Sequence, residues 1–384
     1  MESKVYKCKI RTVSPVHIGS GKDYGPSEYV NAKAKQKDGS IVKTIKRIDF
    51  AKFYGDLEGE KQDRFLSNLS NPKYKIEQDY PNISKDYTRY NSINKSSINK
   101  ESPHAPDISE FIKTSDNLYI PGSSIKGAIR TAILYDLVED EDIENIDDLI
   151  QRRGNRTVIN NRDYNDFIDD FFAASRGNSA QKNIMRFLQI SDSTIYKPPT
   201  IHEVLAIMAK DRGGMPDGTQ YYSRNGSVVK SYLETIDKSK ILRSELTINY
   251  DDGILREIDI DDKGFILDID YIKGAIYRFS ADLIEYELDF ADKYDVSYLT
   301  KFYNTLSKIN KEESPVLRIG AGSGLMATSI AMKVKKYDDL EGTQIFDSIR
   351  STFRRQYPFE FPKSRKVTKT GLPLSWVQLN FEEK

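Results

Sequence analysis

Cysteine and histidine are scarce in this sequence, which has one cysteine, Cys8, and three histidines among its 384 residues. A single cysteine excludes a disulfide framework and a thiol-based metal site. So few histidines also argue against a histidine-rich metal site, although carboxylates can still hold a hard cation. We therefore predict no metal centre, no cofactor and no catalytic residues.

Long apolar runs are missing too. No stretch approaches the ~20 apolar residues that a membrane-spanning helix needs, and the first residues, M-E-S-K-V-Y-K, contain no apolar signal region. Neither charge is in excess: Lys plus Arg and Asp plus Glu number 58 each, which argues against a simple polycation but leaves local patches open. These absences predict a cytoplasmic protein with no membrane partner.

The chain begins with a predicted strand. Residues 5–13 alternate between apolar and polar side chains, with the period of two that a half-buried strand shows. The basic face either contacts a nucleic acid or is the solvated face of an edge or surface strand. The apolar face carries Tyr6, Cys8 and Ile10, and the basic face carries Lys7, Lys9 and Arg11.

A loop that becomes a helix lies at residues 120–133, which read I-P-G-S-S-I-K-G-A-I-R-T-A-I. Ser123 and Ser124 are both favourable N-cap residues, and Lys126 and Arg130 are four apart on one helix face. Free amides, hydroxyls and cations at a helix start suit a phosphate. A capped amphipathic helix with two solvated cations explains the same pattern. There is no G-K-[ST] ending, so a nucleotide-binding P-loop is not indicated.

Two segments rich in glycine stand on either side of this helix in the sequence. Residues 14–21 read S-P-V-H-I-G-S-G, and residues 315–329 read P-V-L-R-I-G-A-G-S-G-L-M-A-T-S. Their glycines permit positive φ and close backbone approach. The late segment resembles the nucleotide loop of class I methyltransferases, but Arg318 stands where that motif commonly has an acid. Only about 60 residues follow Gly324, too few to complete a doubly wound sheet. A structural tight turn is the other interpretation.

Three segments, in this order, resemble the motifs of RAMP proteins, the RNA-binding subunits of CRISPR effector complexes: H-I-G-S-G, P-G-S-S-I-K-G-A-I-R and R-I-G-A-G-S-G. The ending, G-L-P-L-S-W at 371–376, is similar to the P-L-G-W terminus of one RAMP subfamily, with Ser375 in place of the glycine. We interpret Trp376, the only tryptophan, as a core residue. With the chain length, these motifs resemble the family of fifth subunits of the type III-A Csm complex. The resemblance implies that RNA is bound by His17, Gly19, Ser20, Gly21, Ser123, Ser124, Lys126, Arg130, Arg318, Gly320, Gly322 and Gly324.

The resemblance also implies an α+β fold with two ferredoxin-like (RRM-like, RAMP) domains that carry large insertions. We place the N-terminal domain at 1–225, with a polar insertion at about 70–117 where periodicity fades. The C-terminal domain, at 226–384, carries the glycine-rich loop. Within it, residues 229–236 and 241–250 are predicted to form a hairpin around a turn at 237–240.

For function, the resemblance implies a non-catalytic subunit that caps the filament of repeated backbone subunits at the 3′-end side of the CRISPR RNA (crRNA). It implies a part in crRNA 3′-end maturation and antiviral defence, by engagement of host nucleases. The implied partners are crRNA and other Csm subunits, especially the repeated backbone RAMP subunit and the small subunit.

Two enzyme classes remain as alternatives. The first is a RAMP-type metal-dependent endoribonuclease. Asp23 is the nearest candidate for its cleaving aspartate, but the setting K-D-Y-G-P-S differs from the D-S-P setting of the cleaving Csm subunit. The second is a methyltransferase that uses S-adenosylmethionine.

Overall fold

The computed structural model describes residues 2–35, 38–71, 74–101, 105–153, 156–159, 161–173, 182–352 and 360–384. The strands are β1 Glu2–Thr12, β2 Gly19–Tyr24, β3 Tyr29–Lys35, β4 Ile41–Ile48, β5 Thr88–Asn94, β6 Ile108–Phe111, β7 Lys113–Thr114, β8 Asn117–Leu118, β9 Ile150–Arg153, β10 Arg156–Ile159, β11 Leu188–Ile190, β12 Thr200–Arg212, β13 Met215–Tyr221, β14 Ser223–Arg224, β15 Ser227–Val228, β16 Lys230–Thr235, β17 Ile241–Tyr250, β18 Val316–Arg318, β19 Ser364–Thr368 and β20 Trp376–Glu383. The helices are α1 Phe50–Gly55, α2 Glu60–Leu69, α3 Ile76–Asp79, α4 Gly122–Leu137, α5 Asp140–Asp148, α6 Asn161–Asp170, α7 Asp252–Glu257, α8 Ile269–Lys293, α9 Ser297–Ile309, α10 Gly324–Thr328, α11 Ala331–Glu341 and α12 Ile345–Thr352. Three 3₁₀ segments lie at Ile83–Lys85, Ile184–Phe187 and Asp261–Leu267.

The first of two large sheets is antiparallel, with strands in the order β11-β17-β1-β20-β18. Taken along the chain, β1, α4, β11, β17, α8 and β20 form the βαββαβ succession of a ferredoxin-like fold, and β18 extends the sheet at one edge. Helices α4 and α8 pack against each other, and Trp376 is fully buried as predicted. The predicted α+β fold is confirmed.

Strand β1 shows why this sheet forms. Tyr6, Cys8 and Ile10 are buried in the core, whereas Lys7 and Lys9 on the opposite face are exposed. Exposure of the apolar face to water is unfavourable, whereas the charged face is well solvated. The strand is therefore buried on one face only. The predicted alternation of residues 5–13 is confirmed.

The second sheet has nine strands, seven of them in the order β2-β6-β16-β12-β5-β4-β3, with β13 and β19 also paired to β12. Both sheets contain strands from before and after residue 225, so the predicted division there does not coincide with a division between sheets. The segment 70–117, predicted to be a polar insertion, supplies β5 and β6 to this sheet.

The predicted hairpin of residues 229–236 and 241–250 is wrong. Strand β16 pairs with β12 and β6 in the second sheet, whereas β17 pairs with β1 and β11 in the first. The connection between them is fixed to Thr12, which donates its hydroxyl to the Asp237 carbonyl at 2.7 Å and accepts from the Lys240 amide at 2.8 Å. Residues 237–240 therefore connect a strand of the second sheet to a strand of the first.

No helix in the described part of the chain combines the length and the apolar character that a membrane crossing requires.

Candidate nucleic-acid interface

Segments far apart in the sequence meet where β1, β18 and β20 begin or end. The Ala321 amide donates to the His17 carbonyl at 2.8 Å, and the Ser375 amide donates to the Pro15 carbonyl at 2.8 Å. The Ile319 amide donates to the Ser375 carbonyl at 2.9 Å. We call residues 14–21, 319–324 and 374–376 the glycine junction. The structure therefore unites both glycine segments with the chain ending, which the sequence did not predict.

Gly320 makes this close approach possible. Its φ is +69°, and a Cβ built on it would lie 2.4 Å from the His17 carbonyl oxygen. No real side chain tolerates that separation, and the left-handed backbone adds strain for any residue except glycine. Gly320 is thus required by the junction itself.

Ser375 keeps the tight turn that a glycine would make in the P-L-G-W ending. Its φ is +69°, and its side chain is completely buried. The hydroxyl donates to the Ala321 carbonyl at 2.8 Å and accepts a long hydrogen bond from the His17 amide at 3.4 Å. The serine therefore links the two glycine segments, and its hydrogen bonds offset the strain of the left-handed backbone.

The His17 side chain packs in the protein interior next to the junction. Its imidazole is buried, with Nδ1 2.6 Å from the Glu234 carbonyl oxygen and the ring edge-on to Phe111. Because a carbonyl can only accept, Nδ1 carries the proton. Burial lowers the pKa of the imidazole, so the ring is neutral at pH 7. The structure gives the His17 side chain a packing role and leaves its backbone at the junction.

The outer face of the junction is bare backbone beside two lysines. Gly19, Gly21 and Gly320 are exposed, and so are Lys22 and Lys366. Lys366 lies close enough to His17 that its charge contributes to the lowered imidazole pKa. Main-chain amides and lysines are groups that bind phosphate oxygens without regard to base identity.

Lys22 and Lys366 were not among the residues predicted to bind RNA. One signal was available for Lys366, because it lies in the basic run that precedes the Trp376 ending in the sequence. Nothing local in the sequence distinguished Lys22 from other surface lysines.

The start of α4 differs from the prediction. The N-cap position is Pro121, and neither Ser123 nor Ser124 caps the helix with its side chain. Instead the Gly122 amide donates to Asp192 Oδ1 at 2.9 Å. A Cβ on Gly122 would lie 2.0 Å from the Ile190 carbonyl oxygen, so the helix start packs directly against the end of β11. A carboxylate of the protein therefore already occupies the helix start that we expected to suit a phosphate.

Lys126 and Arg130 have different surroundings. Arg130 forms an ion pair with Asp169 at 3.2 Å, and its guanidinium lies over the Phe172 ring at 4.5 Å. Lys126 is half-buried, and within the described residues no acid pairs with it. Burial lowers the pKa of Lys126. Of the two cations, Lys126 is the one left available to an external anion.

Arg318 lies inside the protein. It forms an ion pair with Glu287 of α8 at 3.1 Å, and the other oxygen of Glu287 accepts from Arg365 Nε at 2.6 Å. All three side chains are buried. Arg318 therefore holds β18 against α8, and its predicted contact with RNA would need an anion that enters the fold.

The geometry bears on both enzyme alternatives. The described residues contain no group of three or more His, Cys, Asp or Glu side chains placed to hold a metal ion, and Asp23 is exposed in β2 opposite Ser109. The loop that resembles a methyltransferase motif follows β18, an edge strand of an antiparallel sheet. That sheet is not the doubly wound parallel sheet of class I methyltransferases, so the fold does not support the resemblance of this loop to theirs.

Comparison with known proteins gives the family. The model of the RAMP superfamily matches residues 9–327. The chain belongs to the RAMP superfamily. It is 25% identical to the CRISPR system Cms protein Csm5 of Methanocaldococcus jannaschii over 413 aligned positions, which cover 98% of this chain and 88% of that protein. Csm5 of Enterococcus italicus is 27% identical over a shorter stretch, 35% of this chain and 44% of that protein.

Solved structures agree with this RAMP fold. A chain in the cryo-EM structure of a Csm–crRNA–target RNA ternary complex of a type III-A system superposes with a TM-score of 0.66 at 21% identity. That match covers 98% of this chain and 100% of the other. The crystal structure of T. onnurineus Csm5 gives a TM-score of 0.62 at 20% identity and covers 96% and 99% of the two chains. The resemblance to the fifth Csm subunit is confirmed.

Proposed function

We propose that this RAMP protein is an RNA-binding subunit of a type III-A Csm complex and that it carries no catalytic activity of its own. It caps the filament of backbone subunits at the 3′-end side of the crRNA and contributes to crRNA 3′-end maturation in antiviral defence, in the cytoplasm. Its similarity to Csm5 proteins over almost the whole chain supports this role.

One observation carries the RNA-binding part of the proposal. The glycine junction presents exposed backbone at Gly19, Gly21 and Gly320, with Lys22 and Lys366 beside it. Main-chain amides and lysine side chains of this kind bind phosphate oxygens, so we expect binding that is independent of base sequence. Lys126 adds a cation on α4, the helix against which α10 packs directly after the glycine loop.

The proposed partners are crRNA, the repeated backbone RAMP subunit and the small subunit. Host nucleases are the proposed source of 3′-end trimming; the described residues contain no group of three or more His, Cys, Asp or Glu side chains placed to hold a metal ion. In this arrangement the protein positions RNA and another enzyme performs the chemistry.

Charge reversal at the junction tests the proposal. The double variant Lys22→Glu/Lys366→Glu is expected to lose about 1–3 kcal/mol of RNA binding for each phosphate contact removed. Binding is measured by fluorescence anisotropy with the assembled complex and with the full chain, on a crRNA and on a scrambled RNA of equal length. Lys33→Glu makes one such charge reversal on β3, which lies at the opposite end of the second sheet from β2, and serves as the control.

We expect the double variant to weaken binding to both RNAs equally and Lys33→Glu to leave it unchanged. Equal RNA affinities for wild type, the double variant and Lys33→Glu would contradict the proposal that the junction binds RNA. Failure of the tagged wild-type protein to recover crRNA and Csm subunits from its host would contradict the proposed complex.

A further inference from the structure

A cleft of about 260 Å³ opens beside the glycine junction. Residues 322–326 form one wall, and Ser364 and Lys366 contribute to the other. Its inner end is formed by Arg318, Arg365 and the carboxylate of Glu287 that both arginines share. We call this space the arginine cleft.

The charges at the arginine cleft do not balance. One carboxylate, Glu287, serves two buried guanidinium groups, and Lys366 adds a third cation at the exposed mouth. A further acid, Glu360, whose charge also acts on Arg365, forms an ion pair with Lys293 at 3.0 Å. The cleft therefore holds an excess of positive charge at a place where water has little access, and such charge is stabilised by an anion.

The hydrogen-bond donors of Arg365 are not all paired. Its Nε donates to Glu287 at 2.6 Å and its Nη1 to the Pro362 carbonyl at 2.6 Å. Its Nη2 is buried and has no hydrogen-bond partner among the described residues. The Tyr286 hydroxyl donates to the Phe361 carbonyl at 3.1 Å, and its ring lies 5.2 Å from the Arg365 guanidinium. A buried guanidinium whose N–H groups are not all paired carries positive charge that an anion in the cleft would stabilise.

We propose that the arginine cleft binds a single phosphate group. This inference rests on the proposed function, because an RNA held on the junction would bring its phosphates to the mouth of the cleft. The two buried guanidinium groups supply positive charge that suits a tetrahedral oxyanion, and the lysine adds a point charge at the mouth. The space is large enough for one phosphate with part of its sugar. The bound phosphate would be an RNA terminus, a backbone phosphate or a free phosphate ion.

Ser364 gives a test that spares the fold. Its side chain is exposed at the cleft, and its backbone pairs with Met208 of β12, which substitution does not disturb. Ser364→Glu adds a negative charge to the cleft, and Ser364→Gln adds the same bulk without the charge. Both are compared with wild type as full chains. Trp376 lies 5.5 Å from the Arg318 guanidinium and is the only tryptophan, so its fluorescence reports occupation of the cleft.

The probes are inorganic phosphate and two versions of one oligoribonucleotide, with a 3′-phosphate or a 3′-hydroxyl. We expect Ser364→Glu to weaken binding of at least one probe by tenfold or more, and Ser364→Gln to stay within about threefold of wild type. Preference for the 3′-phosphate identifies an RNA terminus, equal loss for both oligonucleotides identifies a backbone phosphate, and an effect on inorganic phosphate alone identifies a free ion.

The two proposals fail in distinguishable ways. Equal affinities of both variants for every probe, with RNA binding intact, would overturn the arginine cleft and leave the proposed function standing. Phosphate binding that Ser364→Glu abolishes, in a protein that binds no RNA, would support the cleft and overturn RNA binding by the isolated chain. Absence of any phosphate-dependent change in wild type, by fluorescence and by titration calorimetry, would also overturn the cleft.

Discussion

Gly320→Ala should destabilise the protein far more than the same change at Gly324. Both glycines have nearly equal positive φ, +69° and +71°. A Cβ at Gly320 would meet the His17 carbonyl oxygen at 2.4 Å, whereas a Cβ at Gly324 would meet nothing within 4 Å. The pair therefore separates the cost of the backbone conformation from the cost of losing the close approach.

The magnitudes follow from these contacts. The left-handed backbone costs an alanine about 1 kcal/mol at either position. Gly320→Ala also breaks the hydrogen bond from the Ala321 amide to the His17 carbonyl, worth about 1 kcal/mol. Separation of the packed segments adds roughly another 1 kcal/mol. We expect losses of about 3 kcal/mol for Gly320→Ala and about 1 kcal/mol for Gly324→Ala.

Urea denaturation of the full chain, followed by the fluorescence of Trp376 in the same junction, measures both losses. With an unchanged dependence on urea, the shift of the midpoint reports the change in the free energy of unfolding. Equal midpoints for the two variants would refute the reasoning, because the contact between Gly320 and His17 would then carry no stability.

Three further predictions concern buried polar groups, each measured as the free energy of unfolding in urea. Ser375→Ala keeps the strained φ and loses both hydroxyl hydrogen bonds, so it should cost about 1–2 kcal/mol. Ser375→Gly relieves the strain and should cost less. The reverse order would contradict the linking role of the hydroxyl. Glu287→Ala leaves two buried guanidinium groups without their carboxylate and should cost about 3–5 kcal/mol, and a loss below about 1 kcal/mol would show that the ion pairs are weak. Burial lowers the pKa of His202 to about 4, so the folded protein binds fewer protons at this site than the unfolded chain. The free energy of unfolding should be highest above pH 6.5 and fall by about 1–3 kcal/mol towards pH 4. His202→Gln should reduce this dependence on pH.

Local patterns in the sequence predicted the elements of the site well. The alternation of Tyr6, Cys8 and Ile10 is a property of one strand, and it correctly identified the buried face of β1. Pro121 and Gly122 marked the start of α4 within the loop because proline and glycine act on their own backbone. The order of the three motifs identified the RAMP superfamily. Each of these signals depends on residues close together in the chain.

Pairing between distant segments was not predictable in the same way. The pattern of residues 229–236 and 241–250 fits two strands joined by a short turn, yet each strand pairs in a different sheet. Period-two alternation states which face of a strand is apolar but not which strand lies beside it. The partner strands, β12 for β16 and β1 for β17, come from elsewhere in the chain.

The same limit explains the cations of the signature helix. Lys126 and Arg130 are four residues apart and look equivalent by helical periodicity, but Asp169 and Phe172 approach only Arg130. The helix start is likewise capped by Asp192, which follows it by 70 residues. Both partners belong to segments that lie far from α4 in the sequence. A charged residue in a motif thus becomes a binding group only where no distant part of the same chain has already neutralised it. In this protein that condition favours Lys22, Lys126 and Lys366 over Arg130.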